Sequence, residues 1–177
     1  MSLRPSIAAI VGLPFFLAAC STPPPSQSPP LQQDNVDISA SERYHVEQDS
    51  APLRPITQDE VLDAIPQADP ILRFGNMSPY VIDGVTYHVL EDYSDYREQG
   101  TASWYGAKFS GHKTSNGELY DLYQPSAAHK TLPIPSYARV TNLDNGKSIV
   151  VRVNDRGPFH SDRIIDLSYA AAVKLGY

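Results

Sequence analysis

Four carboxylates and one histidine are the side chains of this sequence best placed to do chemistry. Glu118, Asp121, Asp155 and Asp162 each lie among residues that favour turns, and His129 lies between them in the chain. Two carboxylates, or a carboxylate and a histidine, that point into one groove can move the protons needed to cleave a glycosidic bond. Each acid could equally be a solvated loop charge or a backbone cap. Spacing along the sequence does not decide between these alternatives, because it fixes no distance between strands.

Asp155 stands at the end of a predicted strand. Residues 149–153 are mostly β-branched and pack well on a pleated surface, whereas Asn154 and Asp155 are short and polar. The Gly157-Pro158 pair cannot continue a regular ladder. A rigid scaffold that presents a charged loop is a common way to build a binding or catalytic site. The simpler alternative is a turn in which Asp155 caps its own backbone.

Aromatic side chains near these acids could contact a sugar. Trp104, Tyr105 and Tyr120 have flat, amphipathic rings that suit a half-wet cleft, although packing in a core explains each ring equally simply. The five histidines do not cluster at metal-ligand spacing, and the sequence has no CxxC pair, HExxH or glycine-rich phosphate loop. The sequence therefore predicts neither a metal nor a cofactor.

The N-terminus predicts export and a lipid anchor. Residues 1–19 combine one positive charge, Arg4, with an uncharged apolar run, which is typical of a signal peptide and too short to span a membrane. The run ends in Ala18-Ala19-Cys20 and resembles a bacterial lipobox, with Cys20 as the lipidated residue. An ordinary signal peptide that contains a cysteine is the alternative. The net charge of −6 argues against a nucleic-acid partner.

The next stretch, residues 20–73, is predicted to be a disordered, proline-rich linker. It contains nine of the sixteen prolines and a single aromatic residue, Tyr44, a composition that buries too little apolar surface to fold. Within it, Thr57 to Glu60 could form a capping box that starts a helix of one or two turns before Pro66.

Regular structure is expected from residue 74 onward. Asp83-Gly84, between two β-branched and aromatic runs, predicts a two-residue hairpin in a segment spanning residues 74–98. Several short strands with frequent turn signals follow, residues 126–129 could form one helical turn, and a short helix begins at Ser168 and ends at Gly176. The pattern predicts a mainly β domain, a small barrel or sandwich, with one C-terminal helix.

Five motifs, in order, resemble the RlpA family of rare lipoproteins. They are GTASWYG at 100–106, KTSNGELYD at 113–121, AAHKTLP at 127–133, VRVNDRGPF at 151–159 and RIIDLS at 163–168. The family implies a double-psi β-barrel, here over residues 99–177, of the type shared with expansins and barwin-like proteins. It also implies a lyase, an endolytic lytic transglycosylase that cleaves the MurNAc–GlcNAc bond of peptide-stripped peptidoglycan and leaves 1,6-anhydro-MurNAc ends.

The resemblance also assigns residues and partners. Asp155 matches the acid/base of the barrel, Glu118 the second acid and His129 the third catalytic position. Trp104, Tyr105, Asn116 and Arg156 are expected to contact the glycan, with no metal. The expected partners are peptidoglycan strands, the membrane through Cys20 and division-site proteins, and the expected location is the outer membrane, facing the periplasm.

One departure leaves an alternative open. The chain ends at Tyr177, directly after the predicted helix, where family members usually continue with a strand that closes the barrel. The barrel is therefore expected to lack its last strand unless the hairpin at 74–90 compensates. A barrel with an open edge could bind or loosen glycan, as expansins do, without cleaving it.

Overall fold

The main structural element is a five-stranded mixed β-sheet. The computed structural model describes residues 49–160 and 162–177. Its strands are β1 (Tyr80–Ile82), β2 (Val85–Tyr87), β3 (Ala102–Tyr105), β4 (Ser126–His129), β5 (Ser136–Thr141), β6 (Ser148–Asp155) and β7 (Ile165–Ser168). Two 3-10 turns, Gln58–Glu60 and Ala107–Phe109, and one helix, α1 (Tyr169–Leu175), complete the regular elements of these residues. The mainly β architecture with one short C-terminal helix is as the sequence predicts.

The sheet interleaves strands that are distant in sequence. Its order is β3-β7-β4-β6-β5, with β1 and β2 forming a separate hairpin. β3 pairs with β7, and β4 with β6, in parallel, whereas β4–β7 and β5–β6 are antiparallel. Strand β6 therefore lies between β4 and β5, which are consecutive in the chain. The loop before β4 folds onto the end of β6, where the backbone of Ser115 donates to Asp155 at 2.8 Å.

Side chains of strand β6 alternate between the buried core and the opposite face of the sheet. Ile149, Val151 and Val153 point inward and are fully buried, whereas the intervening side chains are half-buried. The alternation breaks at the end of the strand, where Ala127 of β4 pairs with Val153 but Ala128 pairs with Asp155. The extra residue, Asn154, makes a β-bulge, a feature that re-aims side chains at the end of a strand.

Helix α1 closes the core at the end of the chain, and its predicted caps are present. Ser168 accepts a hydrogen bond from the backbone of Ala171 at 3.2 Å, and Gly176 adopts a φ of 79° in the left-handed region. The buried face of α1 packs with the inward residues of β6 and β7. None of the described helices has the length and apolar character needed to cross a membrane.

The predicted hairpin at Asp83-Gly84 is confirmed. Both turn residues have positive φ, 49° and 79°, as a type I′ turn requires. The rings of Tyr80 and Tyr87 stack at 5.3 Å, and both contact Phe159, which follows the end of β6. The expectation that residues 126–129 form a helical turn is wrong: they are β4, because parallel pairing with β6 and burial on all sides override local preference.

The prediction of a disordered linker up to residue 73 is wrong for its second half. Residues 49–73, which we call the strap, lie against the barrel with defined contacts. Val61 is 3% exposed and belongs to the main core cluster, and the backbone of Ala64 donates to the carbonyl of Val150 at 2.9 Å. The predicted capping box is present, since the Glu60 carboxylate accepts from the backbone of Thr57 at 2.7 Å. Residues 20–48 of the predicted linker lie outside the described residues.

Core burial by the strap leads to a stability prediction. Val61→Ala should lower the free energy of unfolding by about 1–3 kcal/mol, because it removes buried methyl groups and leaves a cavity. The neighbouring change Leu62→Ala is the control, since Leu62 is 76% exposed, and it should shift the free energy by less than about 0.5 kcal/mol. Denaturant unfolding of both variants measures the difference, and equal effects would contradict the docking of the strap.

Candidate active site

A tight turn before β4 builds one side of the site. The backbone of Thr114 donates to the carbonyl of Glu118, and Gly117 donates back to Thr114, both at 2.8 Å. Gly117 has a φ of 89°, which favours glycine. This turn contains Ser115 and Asn116, which lie in the motif at 113–121. It lies against the end of β6 and meets the two predicted catalytic acids there.

Asp155 is anchored through one oxygen. Its Oδ1 accepts hydrogen bonds from the backbone of Ser115 at 2.8 Å, from the Ser115 hydroxyl at 2.5 Å and from the backbone of Arg156 at 2.8 Å. Its Oδ2 has no hydrogen-bond partner among the described residues. An aspartate held in this way has a fixed position and a free oxygen for proton transfer.

Asp155 lines a cleft of about 200 Å³. Apart from Asp155, which ends β6, the lining residues come from β3, the turn after it and the loop that follows: Tyr105, Lys108, Phe109, His112, Lys113, Thr114 and Tyr120. Aromatic rings form one part of this lining, with Tyr105 and Tyr120 in contact at 4.2 Å between centroids. The lining contains two lysines and one carboxylate, so its positively charged side chains outnumber its negatively charged ones. Such a cleft suits a polar ligand with apolar faces or an acidic group.

Glu118 is held differently, inside a network of donors. Its carboxylate accepts from Arg152 through Nε at 3.2 Å and Nη2 at 2.7 Å, from Asn154 at 2.8 Å and from Asn116 at 2.7 Å. Burial alone would raise the pKa of this carboxyl, but the hydrogen bonds from Arg152, Asn154 and Asn116 outweigh it and lower the pKa below its ordinary value. Glu118 is therefore ionised at neutral pH.

The two carboxylates share one scaffold. Adjacent residues of the turn hold one each, since Ser115 donates to Asp155 and Asn116 donates to Glu118. On β6, Asn154 donates to the Glu118 carboxylate, and the next residue of the strand is Asp155 itself. The structure thus brings both predicted acids to the junction of the turn and β6. Only Asp155 is among the residues that line the cleft.

His129 lies behind this junction and is buried. It is 4% exposed, and its Nδ1 accepts from the backbones of Thr131 and Leu132 at 3.1 and 2.9 Å. The ring proton of the neutral imidazole is therefore on Nε2, which lies 2.9 Å from the hydroxyl of Tyr96. Burial lowers the pKa of His129 to about 4. The described cleft lining does not include His129.

Arg156, which the sequence predicts to contact glycan, has its guanidinium bound by groups of the protein. Its guanidinium donates to backbone carbonyls of Gly75, His129 and Leu132 and to the side chain of Asn76. These acceptors use Nε, Nη1 and Nη2, and the guanidinium lies over the ring of Tyr80. Arg156 therefore ties the loop before the hairpin to the barrel. Sequence reasoning missed this task because all the partners are distant in the chain.

Of the other predicted glycan contacts, Tyr105 and Trp104 lie on opposite faces of β3, and Asn116 lies in the turn before β4. Tyr105 lines the cleft, where its backbone carbonyl accepts from the hydroxyl of Tyr120 at 2.6 Å. Trp104 points to the opposite face, packs against Tyr169 at 5.6 Å and is not part of the cleft lining. Asn116 bridges Thr114 and Glu118 within the turn, so its amide is occupied by the protein.

Two cleft residues, Lys108 and Phe109, carry no signal that sequence reasoning used. Lys113 and Ser115 lie within the motif at 113–121, but the family resemblance gives them no role. Their relevance follows from the fold alone, which brings this loop to the end of β6. No group of His, Cys, Asp and Glu in the described part of the chain could hold a metal ion.

Comparison with known proteins identifies the family. Residues 97–177, which contain β3–β7 and α1, match the family model described as lytic transglycolase. The chain is 58% identical over 134 residues to the "Endolytic peptidoglycan transglycosylase RlpA" of Vibrio cholerae, covering 76% of this chain and 51% of that protein. The protein of the same name from Pseudomonas aeruginosa is 49% identical over 175 residues, covering 99% and 50%.

A third relative of that name, from Neisseria meningitidis, is 55% identical over 115 residues, covering 65% of this chain and 48% of that protein. This chain spans about half the length of the curated relatives it matches. The matched region coincides with the interleaved sheet, which supports the double-psi β-barrel as its fold. The chain therefore belongs to the RlpA family.

Proposed function

We propose that this chain is an endolytic peptidoglycan lytic transglycosylase, a lyase that cleaves MurNAc–GlcNAc bonds in peptide-stripped strands and leaves 1,6-anhydro-MurNAc ends. The observation that carries the proposal is Asp155, whose Oδ1 is fixed by three donors while Oδ2 has no described partner at a cleft. The relatives named endolytic peptidoglycan transglycosylases supply the substrate class.

One carboxyl group is enough for this reaction. Asp155, protonated, donates a proton to the glycosidic oxygen, and the bond between that oxygen and C1 of MurNAc breaks. The resulting carboxylate then takes the proton of the C6 hydroxyl while the C6 oxygen bonds to C1 and closes the anhydro ring. The internal hydroxyl replaces water, so its position in the bound sugar supplies the nucleophile and no second carboxylate must activate a water.

Glu118 has a different role in this mechanism. Hydrogen bonds from Arg152, Asn154 and Asn116 keep its charge in one place. Positive charge develops at C1 and the ring oxygen in an oxocarbenium-like transition state. A preorganised anion in the same junction stabilises that charge without reorganisation during the reaction. Glu118 therefore acts as a fixed anion, and Asp155 moves the protons.

His129 supports the site from behind. Its neutral ring accepts two backbone hydrogen bonds at Nδ1 and contacts Tyr96 at Nε2, and its carbonyl accepts from Arg156. It holds the chain after β4 next to the residue that follows Asp155. In this arrangement His129 positions the site, and its imidazole is not required to exchange protons with substrate.

The lipid anchor is part of the proposal. Cys20, following Ala18-Ala19, becomes the acylated N-terminus, and Ser21 directs the lipoprotein to the outer membrane, facing the periplasm. Peptidoglycan lies within reach of a domain tethered there, and division-site proteins are the expected partners. The substrate of the relatives supports this location in the cell envelope.

Loss of Asp155 tests the chemistry. Asp155→Asn should abolish release of anhydro-MurNAc products from peptide-stripped strands, since the amide cannot exchange the proton, while the fold remains intact. Mass spectrometry detects the products, and Asp162→Asn is the control, because Asp162 is exposed and absent from the cleft lining. A fully active Asp155→Asn variant would remove Asp155 from the mechanism. A wild-type protein that binds strands but releases no product would favour an expansin-like binding module.

The buried histidine leads to a pH prediction. The folded pKa of His129 is about 4, below its unfolded value of about 6.5, so between these values the unfolded state binds a proton that the folded state does not. Stability should therefore fall as pH drops from about 6.5 to about 4, by roughly 1–3 kcal/mol. Denaturant unfolding across this range should show a shallower slope for His129→Gln than for wild type. Identical slopes would place the imidazole in solvent.

Replacement of the cysteine tests the anchor. Cys20→Ala should move the protein from the membrane fraction to the soluble periplasmic fraction, because the acylation site is lost. Immunoblots of fractionated cells measure the shift. The matched control is Ser21→Ala, which leaves the acylated residue in place and should stay in the membrane fraction. Unchanged fractionation of Cys20→Ala would refute acylation at this residue.

A further inference from the structure

Arg152 is shared between two carboxylates from different parts of the chain. Its Nε and Nη2 donate to Glu118 at 3.2 and 2.7 Å. Its Nη1 donates to the carboxylate of Asp69 and, at 2.6 Å, to the hydroxyl of Tyr137. Tyr137 in turn donates to Asp69 at 3.0 Å. The guanidinium is therefore held on both sides, by Glu118 and by Asp69 with Tyr137.

The contacts with Asp69 and Tyr137 restrict the side chain of Arg152. An arginine on the open face of a strand has several rotamers, and holding it in one of them costs conformational entropy. Asp69 and the ring of Tyr137, 5.5 Å from the guanidinium carbon, restrict Arg152 to the rotamer in which its fork meets Glu118. The fork–carboxylate geometry depends on the orientation of this plane. Arg152 can therefore fix Glu118 only as well as it is itself fixed.

We propose that Asp69 is a positioning residue for the proposed reaction, acting through Arg152 to hold the Glu118 carboxylate in its working orientation. The proposal rests on the function proposed above. Asp69 belongs to the strap and precedes residues 97–177, the part that matches the family model. A segment that composition assigns to a linker thus supplies a functional part of the site.

The strap offers a matched control for this proposal. Asp63 also contacts β6, where its carboxylate accepts from the backbone of Val150 at 3.1 Å. It docks the strap to the same strand but does not touch Arg152. Asp63→Ala therefore measures the effect of loosening the strap. Asp69→Ala measures that effect together with the loss of the hydrogen bond that Asp69 accepts from Arg152.

The first test follows the Glu118 carboxyl directly and needs no activity. Carbon NMR of glutamate-labelled protein, with Glu118→Gln to assign the signal, gives the pKa of this group in each variant. Asp69→Ala should raise the pKa of Glu118, because a loosened Arg152 donates less well to its carboxylate. Removal of a neighbouring negative charge alone would lower that pKa. An unchanged or lowered pKa overturns the proposal, and Asp63→Ala should leave the value unchanged.

The second test asks whether the effect passes through Arg152. Asp69→Ala should lower kcat on the order of tenfold with little change in KM, because a misplaced catalytic group weakens the transition state more than the bound sugar. In an Arg152→Lys background, which lacks the fork, the same change should lower kcat less than twofold. Equal losses in both backgrounds would show that Asp69 only docks the strap. If wild type releases no product, the proposed function fails, while the NMR measurement still decides the role of Asp69.

Discussion

A half-buried carboxylate requires hydrogen-bond donors from the protein, and this requirement of Asp155 and Glu118 determines the arrangement of the whole site. Asp155 and Glu118 are removed from part of their water, so protein groups must replace the hydrogen bonds that water gave. The turn at 114–118, the bulge at Asn154 and the guanidinium of Arg152 meet this need. The interleaved sheet brings these donors together, because β6 runs between strands that precede it in the chain.

The same strand keeps stability and chemistry apart. Its inward residues, Ile149, Val151 and Val153, form the core, whereas Arg152 and Asn154 project from the other face to Glu118. The bulge at Asn154 then interrupts the inward–outward alternation of β6 directly before Asp155. Polar substitutions at the site thus leave the main core contacts in place, so loss of activity and loss of folding are separable here.

Local signals in the sequence were reliable guides to local structure. The glycine and aspartate of the hairpin, the caps of α1 and the abrupt end of β6 all act over a few residues, and the structure has each of them. Contacts across long separations were not readable. His129 sits in a strand because its strand, β4, pairs with β6 and β7, and the Arg156 guanidinium donates to carbonyls that are distant in sequence. Asp155 and Glu118 were found by motif, whereas their shared scaffold needed the fold.

The strap changes where the cooperative unit of this protein begins. Val61 lies in the core, Arg156 binds Gly75 and Asn76, and each contact joins residues far ahead of position 97 to the barrel. Segments that share buried contacts tend to open and close together. A fragment that begins at residue 97, where the family model begins, would therefore expose apolar surface and leave buried donors unmatched. For this protein, the folded unit therefore extends ahead of the family-model match and includes at least Val61.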